Sequence, residues 1–416
     1  MFRPLSIVFS LSLAVFGCSS SPNGVVAGDD AGVGGGGDDT ADLAVSPDLM
    51  LPDRDPTDHP PLLQMDPNTG TVLKAIEVWT IVWQGDEELG ARTNRFADWM
   101  VQSDYWKTSL SEYGVGPGKA MGVLVIPSAP PATLDDSAVG PLVRAAIANG
   151  SFPMPNVNTA FSFIVPTKTK STLQGSAGCQ AYGGYHAETR IKTGVNQYVP
   201  YLINLQCGGF GGVTAFDSLT EVVSHETSEA ATDPHPYFQP GWVQNVGTPL
   251  GGEISDLCAG LSMTYPVNVT APEDGGISDS RYYVTRNWSN KAAAAGNIDP
   301  CQPTPPNRPY FNVAVNPTDI DVTPDTSNPD GTDVDAVFEP YAFGDVGVIK
   351  WQLEGPPGPG ITVTPSKGSG MAGQSIPFKI HIASTVRGNG QSFPIYLATS
   401  SAKGGSNQWV SSITIE

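Results

Sequence analysis

Two of the five histidines in this chain fall within one stretch, Glu221-Val222-Val223-Ser224-His225-Glu226-Thr227-Ser228-Glu229-Ala230-Ala231-Thr232-Asp233-Pro234-His235. Leu219, Val222, Val223 and Ala230 recur with Glu226 at helical period, which predicts a helix with one face turned into the protein. Asp217 or Ser218 is placed to cap its start, and Pro234 to stop it. On that helix His225 and Glu229 are i and i+4, one turn apart on one face. An imidazole nitrogen and a carboxylate oxygen can then reach the same ion. Glu226, beside the first ligand, is at the place where zinc-binding His-Glu helices carry their general base.

The order His-Glu-x-x-Glu departs from the zinc motif His-Glu-x-x-His at its last position. Carboxylate oxygen is an ordinary zinc ligand, although a more oxygen-rich set loosens the preference for zinc over other divalent ions. One divalent cation, zinc, is the expected cofactor. A catalytic zinc takes three protein ligands plus water, and one helix supplies only two. The third is expected downstream. Glu253 and Asp256 lie in Gly251-Gly252-Glu253-Ile254-Ser255-Asp256-Leu257-Cys258. His235 has the third-ligand spacing of the longer His-Glu-x-x-His-x-x-Gly-x-x-His motif, but Thr232 takes the glycine position and Pro234 constrains the path. The metal set read here is His225, Glu229 and Glu253, with His235 and Asp256 as alternates and Glu226 as the catalytic residue. His186, in the loop Gly183-Gly184-Tyr185-His186, is a further candidate as transition-state donor or extra ligand. A surface helix with solvated charges is the competing reading.

The elements that must position these groups begin with a β-branched and aromatic strand, Ile76 to Trp83. A helix or helix pair with an aromatic core face follows between Thr93 and Tyr113. Val123–Ile126, Ala160–Val165 and Tyr198–Leu205 read as strands and Leu142–Ala148 as a short helix. This alternation predicts an α+β architecture, with an α/β domain in which the motif helix lies against a sheet. After a proline-rich linker, 302–309, six short β-rich runs are expected: Phe311–Val315, Val334–Phe338, Val346–Leu353, Ile376–Ile382, Phe393–Thr399 and Gln408–Ile415. They predict an all-β, immunoglobulin-like sandwich over 310–416. Its aspartates between Asp319 and Asp335 read as a solvated turn region.

The 416 residues suffice for two or three domains, and only 15% are charged while Gly (47) and Pro (38) are abundant. A loop-rich, β-containing exported protein follows, not a coiled coil. The net charge of -20 argues against nucleic acid as a partner, since little here could neutralise a phosphate backbone. Arg3, the apolar run Leu5–Phe16 and Val15-Phe16-Gly17-Cys18 read as a lipoprotein signal over 1–18, with Cys18 as the lipidated residue. The apolar run is too short to span a bilayer. Residues 19–60, rich in Gly and Asp with Arg54 as their one basic residue, read as a disordered acidic tether. Cys179, Cys207, Cys258 and Cys301 remain, an even number in an exported chain, so a disulfide framework is expected. Of the three pairings, Cys179–Cys207 with Cys258–Cys301 is favoured, one loop on either side of the helix.

Several segments recur in order: Trp83 and Gly85, Phe96 to Trp106, Cys179 to His186, Ser224-His225-Glu226, Thr232-Asp233-Pro234, Gly241-Trp242, Gly252-Glu253, Asp256-Leu257-Cys258, and Tyr282-Tyr283-Val284 with Trp288-Ser289-Asn290. Together they resemble bacterial members of the phosphate-induced, EXORDIUM-like family and their metallopeptidase-like relatives, over about residues 70 to 301. The resemblance implies a zincin-like domain across 61–301 with a long active-site helix. The function expected is a cell-surface metal-dependent hydrolase, a zinc endopeptidase, held at the bacterial envelope by its lipid or secreted, and acting on protein or cell-wall material. The alternative is a non-catalytic surface lipoprotein that binds cell-wall polysaccharide or protein.

Overall fold

The computed structural model describes residues 54–192, 196–209, 213–244, 252–261, 263–266, 281–388 and 390–416. The expected signal with Cys18, and residues 19–53 of the expected tether, lie outside the described residues. The architecture is mixed α/β and rich in strand.

The first strand, β1 (Glu77–Trp83), is followed by the helix α1 (Glu87–Gln102), β2 (Lys119–Ile126), α2 (Asp136–Ala148), β3 (Thr159–Val165), β4 (Gly184–Lys192), β5 (Asn196–Leu205) and α3 (Ala215–Thr232). The sheet order is β2-β1-β3-β5-β4, parallel throughout except for β4, which pairs antiparallel with β5 at the edge. A parallel sheet covered on both faces asks for unbroken apolar strands, and every residue of β3 is buried. Side-chain alternation sends Val78, Val82, Ala160, Ile164 and Leu202 to one face, into a core with α1 and α3. Ile81, Trp83, Phe161, Phe163 and Ile203 go to the other, beneath α2.

The motif helix is α3, and it is buried along most of its length. Its cap lies earlier than the sequence suggests. Thr214 is the N-cap, and Asp217 stands inside the first turn, accepting from the Thr214 amide at 3.2 Å while its own amide donates to Thr214 Oγ1 at 3.1 Å. Pro234 ends the helix as expected, with Asp233 as C-cap. One flank of α3 packs on β4 and β5, the other on the strand Arg281–Val284.

Beyond residue 309 two sheets share a core. One comprises Tyr310–Asn316, Thr332–Phe343, Ile376–Ile382 and Ile361–Thr364. The other comprises Asp319–Val322, Ser406–Ile415, Gln391–Ser401, Ile349–Leu353 and Lys367–Gly370. Phe338 meets Trp351 across the layers at 5.4 Å between ring centroids, and Tyr341 meets Trp409 at 6.2 Å. All six expected strands are present. The three others, Asp319–Val322, Ile361–Thr364 and Lys367–Gly370, are four residues each and carry charges, threonines or glycines that read as turns. Residues 54–60, expected in the tether, pack here: Arg54 pairs with Glu339 at 3.2 Å and the His59 ring lies 4.9 Å from that of Tyr341. The disulfides are Cys179–Cys207 and Cys258–Cys301.

Candidate metal centre

One turn of α3 places His225 Nε2 3.1 Å from Glu229 Oε1. The same nitrogen lies 3.2 Å from Asp256 Oδ1, so His225, Glu229 and Asp256 form a group able to hold a metal ion. Asp256 opens a single helical turn, Asp256–Cys258, that is held from several sides. Cys258 is bonded to Cys301, the Trp288 amide donates to the Ile254 carbonyl at 2.7 Å, and the Ser255 hydroxyl reaches Asn287 Oδ1 at 2.8 Å. The Asp256 amide donates to Glu229 Oε1 at 3.2 Å and fixes that carboxylate from the loop side.

Of the three downstream candidates, Asp256 is therefore the one that completes a group with the helix pair. Glu253 belongs to a second group, with His186 and Asp233. His235 joins none of the groups formed among the described residues; its ring lies 6.1 Å from that of Tyr198.

His186 reaches the centre from a strand and not from a loop. It is the third residue of β4, opposite Leu202 of β5, and is buried. The Cys179–Cys207 bond ties the segment before β4 to the end of β5. Gly184 lets the strand come close to α3, since a Cβ there would lie 2.6 Å from Glu226 Oε1 and 2.7 Å from Val222 Cγ1. His186 Nδ1 then faces Glu226 Oε2 at 3.8 Å and Glu229 Oε2 at 3.7 Å. On the other edge of the ring, Nε2 lies 2.9 Å from the Asp233 carbonyl and 3.4 Å from Glu253 Oε1.

Five carboxylates thus surround two imidazoles. Among the described residues the ion pairs of Glu226, Glu229, Glu253 and Asp256 are all with His186 or His225. Burial works against a charge on His186, but Glu253, Glu226 and Glu229 outweigh it and hold its pKa well above the ordinary value. For His225, burial is outweighed in the same way by Glu229 and Asp256. Burial pushes Glu253 well up and Asp256 up, with Glu229 adding to both, and burial also raises Asp233. Burial lowers His235.

A divalent cation fits this donor set. Ligands bound at about 2.0–2.2 Å sit roughly 3–3.6 Å apart around an ion, and His225 Nε2 meets its two carboxylates at 3.1 and 3.2 Å. Asp233 Oδ2 and Glu253 Oε1 are buried oxygens that no fixed donor satisfies. Buried charges of this kind are paired, share a proton or coordinate metal. Asp233 is the group that reading by motif passes over. The signal was present in Thr232-Asp233-Pro234, an acid placed where proline forces the chain off the helix.

No family model matches the chain, and no curated protein matches it. Among solved structures it is similar to WR4, an MSP family member of Caenorhabditis elegans, at 9% identity over 25% of this chain and 97% of that one, with a TM-score of 0.20. The periplasmic chaperone SfaE is similar at 13% identity over 25% of this chain and 56% of that one, also with a TM-score of 0.20. Catalytically inactive OgpA from Akkermansia muciniphila, in complex with an O-glycopeptide substrate, is similar at 12% identity over 83% of this chain and 94% of that one, with a TM-score of 0.26.

Proposed function

We propose that the chain is a metal-dependent hydrolase of the cell envelope, a zinc endopeptidase of the EXORDIUM-like group, lipid-anchored through Cys18. In this reading a zincin-like domain is followed by an immunoglobulin-like sandwich, and the substrate is a protein or wall peptide. One observation carries the proposal: His225 Nε2 stands 3.1 and 3.2 Å from carboxylates of a helix and a disulfide-held loop, with Glu226 next to it in sequence.

His225, Glu229 and Asp256 would hold the cation. When bound, it supplies Lewis-acid polarisation of the scissile carbonyl and acidifies water. Glu226 takes the proton of the attacking water and returns it to the amine nitrogen as the carbon–nitrogen bond breaks. Its carboxylate is shielded from bulk water by the backbone of β4 at Gly184, which favours proton transfer within the site over exchange with solvent. His225 and Asp256, with side chains 20% and 25% exposed, form the open side from which a substrate enters.

The test pairs Glu226→Gln with His225→Ala. Glu226→Gln keeps the metal and loses about 10²–10⁴-fold in peptide turnover, whereas His225→Ala loses the ion held by His225, Glu229 and Asp256 and turnover together. Wild-type protein without stoichiometric transition metal, or unchanged metal in His225→Ala, overturns the proposal. The non-catalytic binding lipoprotein is favoured by a different observation, the deep burial of Glu226 and Glu229 against two histidines able to neutralise them. Such a protein is indifferent to Glu226→Gln.

A further inference from the structure

We propose that a second divalent cation, structural and not reacting, sits behind the first, bound by His186 Nε2, Glu253 Oε1, Asp233 Oδ2 and the Asp233 main-chain carbonyl. The site stands on its own atoms and does not require the hydrolase reading.

The accounting of buried polar groups leads there. His186, Asp233 and Glu253 come from β4, the exit of α3 and the loop after residue 251, and each is at least nine-tenths buried. Gly241 donates its amide to Asp233 Oδ1 at 2.8 Å, which fixes that carboxylate and leaves Oδ2 without a donor. Glu253 Oε1 also lacks one. A hydrogen on His186 Nε2 points at one oxygen, and the Asp233 carbonyl at 2.9 Å is the nearer one. Glu253 Oε1 at 3.4 Å and Asp233 Oδ2 then have only a proton shared between their two carboxyls to compensate them. A cation against Nε2 satisfies all four atoms together, and the 2.9 and 3.4 Å separations are close to those of ligands held at about 2.0–2.2 Å. Two carboxylates against one dication also leave the pocket neutral.

The far edge of the imidazole supports the same assignment. A metal-ligating histidine ordinarily turns its other N–H toward a carboxylate, and the carboxylates nearest His186 Nδ1, Glu229 Oε2 at 3.7 Å and Glu226 Oε2 at 3.8 Å, lie on that side at ion-pair distance, beyond hydrogen-bond length. Placing the ion at Nδ1 would reverse this and leave Asp233 Oδ2 and Glu253 Oε1 unpartnered. Closed sites built wholly of protein donors are structural, while reacting sites keep an open position. Asp233 and Glu253 are 1% and 6% exposed, against the part-open His225 and Asp256. The imidazole argues against calcium, which takes oxygen ligands, so the cation is a divalent transition ion of the zinc or manganese type. Bound there, it pins β4 and the Glu253 loop against the end of the helix that carries Glu226 and Glu229.

The experiment loads the full chain with zinc alone, or manganese alone, removes free metal, and measures the metal-to-protein ratio with circular dichroism as a check of folding. Wild type is expected to hold about two ions per chain, and His225→Ala and Glu253→Gln about one each. Thermal unfolding of His225→Ala still shifts upward on loading. One ion in wild type and none in His225→Ala overturns the inner site and leaves a protonated His186 in its place. That comparison leaves the inner residues intact, so it decides even if Glu253→Gln does not fold. One ion in both proteins keeps the inner site and removes the outer one on which the hydrolase reading depends.

Discussion

Gly184→Ala probes the closest approach in the centre, where β4 lies against α3. An added Cβ would stand 2.6 Å from Glu226 Oε1, 2.7 Å from Val222 Cγ1 and 2.8 Å from Glu226 Cγ. Carbon atoms in contact settle at about 3.5–4.0 Å, so roughly 1 Å of space has to open. Glu226 Oε1 ends a flexible side chain and can swing aside. Its Cγ and the branched Val222 cannot, because valine in a helix keeps one rotamer. Strand and helix must part, at the cost of about 1–3 kcal/mol typical of overpacking. The loss of chain freedom in the unfolded state offsets about 0.4–1 kcal/mol of this. Gly183→Ala is the internal control, because its Cβ would meet only Val222 Cγ2, at 3.1 Å. The assay is denaturant unfolding of both variants, and of each combined with Val222→Ala. Gly184→Ala is expected to lower the midpoint at unchanged slope, by more than Gly183→Ala, and Val222→Ala to recover part of the loss through a coupling of about 1 kcal/mol. A Gly184→Ala variant as stable as wild type, or one that Val222→Ala does not help, refutes the close approach.

The pH dependence of the metal-free protein has a definite sign. His186, His225, Glu253, Asp256 and Asp233 all bind protons more tightly in the folded chain than in the unfolded one. Their contribution is fully present below the unfolded pKa values and is lost as pH rises through the folded ones, which for the histidines means above 6.5. In chelator, the thermal midpoint should fall between about pH 6 and pH 8, and zinc should restore it more at the higher pH because the ion replaces those protons. A midpoint that climbs over this interval without metal contradicts the reading. Replacing Cys258 and Cys301 by serine opens a loop spanning 43 residues, which costs about 4 kcal/mol. The same change frees the turn bearing Asp256, so bound metal should drop as well. Wild-type metal content in that variant would mean that the hydrogen bonds from Ser255 and the Asp256 amide hold the turn without the disulfide.

The sequence makes α3 legible because one apolar stripe and one proline decide its face and its end. Its start is misplaced because Asp217, a good cap by type, is used as the inner partner of Thr214. The strand bearing His186 is hidden for a different reason. Gly183-Gly184 has the composition of a loop, and the residues that follow carry Glu188, Arg190 and Lys192. What makes Gly184–Lys192 a strand is antiparallel pairing with β5, in which His186 stands opposite Leu202. The period-2 signal is nonetheless in the sequence, since the buried Tyr185, Ala187, Thr189 and Ile191 alternate with His186, Glu188, Arg190 and Lys192, and the two glycines and the charges obscure it.

The choice between Glu253 and Asp256 shows where local reading stops. Both carboxylates lie in one short loop, and chemistry alone does not separate them. Their directions are set by partners far along the chain: Cys301 through the disulfide, Trp288 and Asn287 through the loop backbone and Ser255, and Glu229 through the Asp256 amide. Asp233 is the reverse case, in which local chemistry was sufficient. The final carbonyls of a helix have no partner inside it, and Pro234 cannot carry the helix onward. An aspartate at that point therefore offers a main-chain oxygen and a carboxylate together. The carbonyl lies 2.9 Å from His186 Nε2, and the carboxylate keeps one buried oxygen that no hydrogen bond satisfies. A helix end that would otherwise be a liability in the interior becomes a ready half of a cation site, and β4 and the Glu253 loop supply the other half.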